Sequence, residues 1–133
     1  MSFKLAIISP KGIYFEDEVD SLSVKLTSGY RTILAHHIPL IGALAYAPMH
    51  FVKGAKVEHF AVHGGAISIR DNRVSLIVNG IESKKDIDIE RAKEAKKRAE
   101  KRLDNKDDIN IDVERARLAL LRAIARIKTY EQK

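Results

Sequence analysis

An acid, an arginine and an alanine recur at one spacing late in this chain. Ile87–Ala92 read IDIERA and Ile111–Ala116 read IDVERA, an offset of 24 residues. Aligned at that offset, residues 87–103 and 111–127 share 9 identities in 17 positions. Two chemistries suit such a repeat. Asp88 and Asp112 fit helix N-caps, because a short carboxylate accepts from the free backbone N–H groups of a first turn. Alternatively, one copy is a ligand site. Arginines recur as Arg91, Arg98 and Arg102, then as Arg115, Arg122 and Arg126. Spacings of 7 and 4 put each trio on one helix face. Such a face is either solvated or a set of donors for an anion.

Other reactive types do not assemble. The chain has no cysteine, so thiolate metal sites, thiol nucleophiles and disulfides are excluded. Of the five histidines, His59 and His63 are four apart, but on a strand that is not the helical pair of a metal site. No metal site is expected. Gly64-Gly65 lacks the flanking residues of a phosphate loop and reads as a tight strand connection. No nucleophile–base set or paired acids stand out, so no catalytic residue is assigned.

The elements that carry these residues change character along the chain. Residues 1–84 hold 9 Lys/Arg and 7 Asp/Glu, whereas residues 85–133 hold 15 and 11. The first segment reads as strands. Leu22, Val24 and Leu26 alternate, as do Phe60 and Val62, with a stop at Gly64-Gly65. Ile67 and Ile69 lead to Asp71-Asn72, from which Val74, Leu76 and Val78 alternate away, the pattern of a hairpin with a two-residue turn. His36–Pro48, with prolines at 39 and 48, reads as a loop with a short extended piece. Short strands and frequent turns predict a β-sandwich or barrel.

The second segment reads as two helices joined by Leu103–Asn110, hence an antiparallel hairpin. Ala92, Ala95 and Ala99, matched by Ala116, Ala119 and Ala123, allow close helix approach. Leu118, Leu120, Leu121 and Ile124 replace charged residues of the first copy and widen the second helix's apolar surface. That surface must dock on the β part or on another protein. The expected fold class is α+β, with a β-sandwich at 1–84 and a helical hairpin at 85–133. No apolar run approaches the roughly 18 residues of a membrane span, and the N-terminal run is too short for a signal peptide. The chain reads as cytoplasmic and soluble. Its net charge of +6 admits a nucleic-acid-binding β-barrel with a basic tail as the alternative. Sparse strand aromatics and the acids diluting the tail argue against it.

With the β part followed by this hairpin, nearly the whole chain resembles the epsilon subunit of bacterial ATP synthase. The resemblance rests on FKLAIISPKGIYF, HHIPLIGAL, VHGGAISIRDNRVSLIV, and IDIERA followed by KRAEKRL. It implies a sandwich of about ten strands and a non-catalytic rotor subunit. Its implied partners are the gamma subunit, the c-ring and the alpha and beta subunits of the catalytic head. The place would be peripheral, on the cytoplasmic face of the cell membrane. It implies a hairpin that lies on the sandwich or extends into the head and blocks ATP hydrolysis. It also implies a regulatory ATP site, with Ile87, Asp88, Arg91 and Ala92 matching the family's nucleotide motif and Arg98, Arg122 and Arg126 matching its phosphate-side arginines. Partner contacts would map to Tyr30 and Arg31 at one tip and to His37, Pro39 and Leu40, all at a single partner-facing end.

Overall fold

The computed structural model describes residues 1–133. Eight strands come first: β1 Phe3–Ser9, β2 Gly12–Val19, β3 Ser21–Leu26, β4 Gly29–Leu34, β5 Leu40–Lys53, β6 Lys56–Arg70, β7 Arg73–Val78 and β8 Ile81–Ser83. A single 3-10 turn at Lys84–Asp86 leads into α1 Ile89–Asp104, and α2 Val113–Tyr130 ends the chain. The strands hydrogen-bond in the order β2-β1-β7-β6-β5-β3-β4, with β8 on the side of β6. All neighbours are antiparallel except β1 and β7.

The sheet folds over to make the two layers of the sandwich because β5 and β6 are long. They have 14 and 15 residues; β6 changes partners along its length, while β5 keeps β6 on one side and β3 on the other across an irregularity in the β3 ladder. The first half of β6 pairs with β8 and the second half with β7. The eight strands stand close to the ten expected. Between the layers lies one apolar cluster of 18 buried residues, with Leu5, Ile7, Ile67 and Leu76 meeting Leu22, Ile33, Met49 and Phe51. Burying each such side chain stabilises the fold by about 1.5–3 kcal/mol.

The β6–β7 hairpin forms as its turn chemistry predicts. Asp71 and Asn72 have φ of 51° and 60°, and Arg70 pairs with Arg73 around them. Asp and Asn tolerate that region because their short polar side chains offset its strain locally.

Two expectations fail. The stretch read as a loop is β5, which carries Pro48 in its interior. Pro48 lies where the β3 ladder is interrupted, between Leu44 opposite Leu26 and His50 opposite Ser23. A proline fits a strand at such an irregularity, because no ladder donor is required of it there. Nor does β6 stop at Gly64-Gly65; it bends through them, with φ of 76° and 139°.

The hairpin docks on the sandwich through α2, which packs on β5 and β6. Thr129 is fully buried, and its hydroxyl lies 2.7 Å from the Ala125 carbonyl and 3.3 Å from that of Phe60. The helices meet through the small residues, with Ala92, Ala99, Ala116 and Ala123 all buried. Leu118, Leu120, Leu121 and Ile124 are half-buried. This third layer explains why Ala61 and His63 are buried although they point away from the sandwich core.

Candidate functional site

Both repeats start a helix in the same way. The Asp88 side chain accepts from the Arg91 N–H at 3.2 Å, and that of Asp112 from the Arg115 N–H at 3.0 Å. Capping is therefore common to the two copies and cannot by itself mark a ligand site. Their surroundings differ. The first copy opens onto a cleft of about 360 Å³ lined by Glu82, Asp86, Asp88, Arg91, Ala92, Ala95, Arg98 and Arg126. Asp112 and Arg115 are exposed and contribute nothing to it.

Five of the seven residues proposed for the nucleotide meet in this cleft: Asp88, Arg91, Ala92 and Arg98 from α1 and its cap, and Arg126 from α2. Ile87 is buried beside Asp88 and anchors the helix start, without lining the cleft. Arg122 is half-buried one turn before Arg126 and also stands off the lining. Ala92 is only 3% exposed, so most of its surface serves the helix–helix contact.

Three further residues complete the cleft. Glu82, on β8, accepts from the Arg126 Nε and lies 3.1 Å from the His63 Nε2 through the same carboxylate oxygen. Burial pushes the Glu82 carboxyl up, but the hydrogen bonds from Arg126 and His63 outweigh it and hold the group below the usual glutamate value. Asp86 comes from the 3-10 turn and Ala95 from α1. No sequence signal links Glu82 to Arg126, because only the pairing of β8 with β6 brings Glu82 under α2. Arg91 and Arg98 make no ion pair, and their guanidinium groups are free.

The chain's two parts match two family models. One, described as the beta-sandwich domain of the ATP synthase delta/epsilon chain, covers residues 2–84; the other, the long alpha-helix domain of the same chain, covers residues 85–131. The chain belongs to the ATP synthase delta/epsilon family. It is 41% identical to the ATP synthase epsilon chain of Halalkalibacterium halodurans over 91% of both chains. To that of Bacillus cytotoxicus it is 39% identical over 99% of this chain and 98% of the other. Among solved structures, a chain of the Euglena gracilis mitochondrial ATP synthase, described as OSCP/F1/c-ring, superposes with a TM-score of 0.83 at 17% identity. That match covers 93% of this chain and 78% of the other, and at this identity it speaks for the fold. An epsilon chain is a non-catalytic subunit of the synthase.

The partner residues expected of an epsilon chain do not share one end. Tyr30 is 67% exposed at the Gly29 end of β4, with the Lys25 ammonium 5.3 Å from its ring centre, and Arg31 beside it is half-buried. The loop holding His37 and Pro39 leaves from the other end, after Leu34. Leu40 opens β5 and is half-buried against the core. The loop is fixed by Asn72, whose side-chain oxygen accepts from the His36 N–H at 2.7 Å and whose amide donates to the Ser2 carbonyl at 3.0 Å. His37 is held by its own loop, Nδ1 lying 2.7 Å from the Ile38 carbonyl. Register decides this separation: β4 is an ordinary hairpin partner of β3, so its two ends cannot coincide.

Proposed function

We propose that this chain is the central-stalk rotor subunit of a bacterial ATP synthase, and that its hairpin is a nucleotide-sensitive brake on ATP hydrolysis. The sandwich holds the gamma subunit and the c-ring and transmits ring rotation to the alpha and beta subunits of the head. The chain works peripherally, on the cytoplasmic face of the membrane; no helix is long and apolar enough to cross it. Docked on β5 and β6, the hairpin leaves the head free; extended, it reaches the head and blocks hydrolysis. ATP favours the docked placement by binding the cleft.

The observation that carries the reading is the convergence of Asp88, Arg91, Arg98 and Arg126 from two helices and a cap on one cleft. The Asp88 cap uses Oδ1, leaving Oδ2 to accept from an adenine amino group. Arg91 and Arg98, free of carboxylates, are bidentate donors for phosphate oxygens. Arg126 brings a third guanidinium, on the helix that must stay docked. A ligand bridging α1, α2 and the sandwich binds only the docked form and so stabilises it by mass action.

Removing the hairpin tests the brake. A chain ending at Ser83 retains all eight strands. It should fold, assemble with gamma and raise ATP hydrolysis by the reconstituted enzyme severalfold. Hydrolysis that stays unchanged across nucleotide concentrations would reject the inhibitory role, and failure to assemble would reject the sandwich as the stalk-binding part.

The partner surface has its own test. Arg31→Glu and His37→Trp each should weaken association with the stalk at least tenfold in a binding titration, with the melting temperature of the isolated chain unchanged. Wild-type affinity in both variants would move the interface elsewhere on the sandwich.

A further inference from the structure

His63 is buried, 5% exposed, and lies outside both the sandwich core and the cleft. Its ring faces charged or titratable groups from every element packed on it: Tyr46 from β5 at 6.2 Å between ring centres, Glu82 from β8, and Arg122 and Arg126 from α2. Gly80 makes room for it, since a side chain there would meet the ring at 3.2 Å. The ring's two nitrogens are unequal. Nε2 lies 3.1 Å from the Glu82 oxygen that also accepts from Arg126. Nδ1 is buried and has no hydrogen-bond partner.

This geometry selects one protonation state. With the proton on Nε2, the ring donates to Glu82 and leaves a bare lone pair at Nδ1. The opposite tautomer sets a lone pair against the carboxylate and buries an N–H with no acceptor, costing about 1–3 kcal/mol. The doubly protonated ring also buries that unpaired N–H. It adds a second cation to a carboxylate already shared with Arg126, with Arg122 close by.

We infer that His63 is a positioning residue for the nucleotide cleft: its neutral ring, through Glu82, holds Arg126 and the docked α2 in place, and proton uptake by the ring releases them. Burial pushes His63 below the ordinary histidine value of 6.5; Arg126 and Arg122 add to this, and Glu82 opposes it. Undocking returns the ring to solvent and removes these causes. The sign follows. Docking is unaffected by pH while the ring is neutral in both placements, and it weakens as pH falls below about 6.5, where only the undocked form takes the proton readily. Glu82 stays ionised throughout this window, since its own value is held below the usual 4.5.

The affinity arm of this inference rests on the nucleotide reading above; the docking arm does not. The test compares the full chain with His63→Gln, whose amide can donate to Glu82 but cannot be protonated. Wild-type ATP affinity should fall more steeply than that of His63→Gln between pH 7.5 and 5.5, by up to about tenfold per pH unit, and the two should agree within about threefold at pH 8. The nucleotide's own titration, and that of His59 on the same face, are common to both proteins and cancel in the ratio. Without nucleotide, amide-exchange protection of α2, corrected for intrinsic rate, should decline over the same window in wild type only. Protection that declines in this way while neither protein binds ATP at any pH supports the His63 role and rejects the nucleotide reading. Equal pH profiles of protection in the two proteins overturn the inference. Should His63→Gln not fold, the ring resonance of His63 in the wild type decides: titration below the ordinary value, rising in Arg126→Gln, supports it, and titration at the ordinary value overturns it.

Discussion

Arg126→Ala should abolish the thermal stabilisation that ATP gives the isolated chain, while Asp112→Ala should leave it whole. A ligand at a hundredfold excess over its Kd stabilises the form it binds by about 2.7 kcal/mol. For a chain of this size that is a rise in Tm of roughly 10 °C. Arg126 joins cleft to helix: it lines the cleft with Asp88, Arg91 and Arg98 and ties α2 to Glu82. Its loss also breaks an ion pair, so each variant's Tm must be compared with and without ATP. The two aspartates separate ligand binding from capping. Each accepts from the first turn of its helix, so Asp88→Ala and Asp112→Ala should each cost about 0.5–2 kcal/mol without ligand. Only Asp88 lines the cleft. Asp88→Ala and Arg91→Ala should therefore lose most of the ATP shift, and Asp112→Ala none of it. Arg122→Ala, standing just off the lining, should lose part. Wild-type protein that shows no shift at millimolar ATP, or aspartate variants that respond alike, would reduce the repeat to two helix caps.

Gly65→Ala should destabilise the fold by more than about 4 kcal/mol, well beyond a typical substitution. The residue has φ of 139°, a region closed to side-chain-bearing residues. A Cβ there would lie 2.1 Å from the Ile77 carbonyl oxygen and 2.9 Å from the Val78 Cα, both backbone atoms of β7. Gly65 pairs with Val78 where β6 leaves its first set of partners for β7, so relief requires breaking the ladder at the bend. Gly64→Ala is the internal control. Its φ of 76° is also left-handed, but its nearest neighbours would be the side chains of Tyr46 at 3.2 Å and Asn79 at 3.3 Å, which can move. It should cost about 1–2 kcal/mol. Urea unfolding of both variants would measure the difference, and a Gly65→Ala midpoint no lower than that of Gly64→Ala would refute the backbone clash.

What the sequence by itself determined lies where neighbouring residues decide structure. Asp71-Asn72 form their turn because their own side chains tolerate positive φ, and Asp88 and Asp112 cap because each carboxylate reaches an N–H three residues on. The alternation of Ile67, Ile69, Val74, Leu76 and Val78 reads directly as one buried face. Tertiary structure decided the rest. Pro48 and Gly64-Gly65 carry local signals against a strand, and long-range pairing overrides them because a ladder irregularity and a bend are where such residues fit. The cleft was half legible. Asp88, Arg91 and Arg98 follow from one helix, and the family resemblance adds Arg126 from the other. Glu82 is 44 residues from Arg126, and neither it nor His63 bears any mark of its role. Each acquires that role only when β8 pairs with β6 and α2 closes over both, which brings a guanidinium and a neutral imidazole onto one carboxylate oxygen.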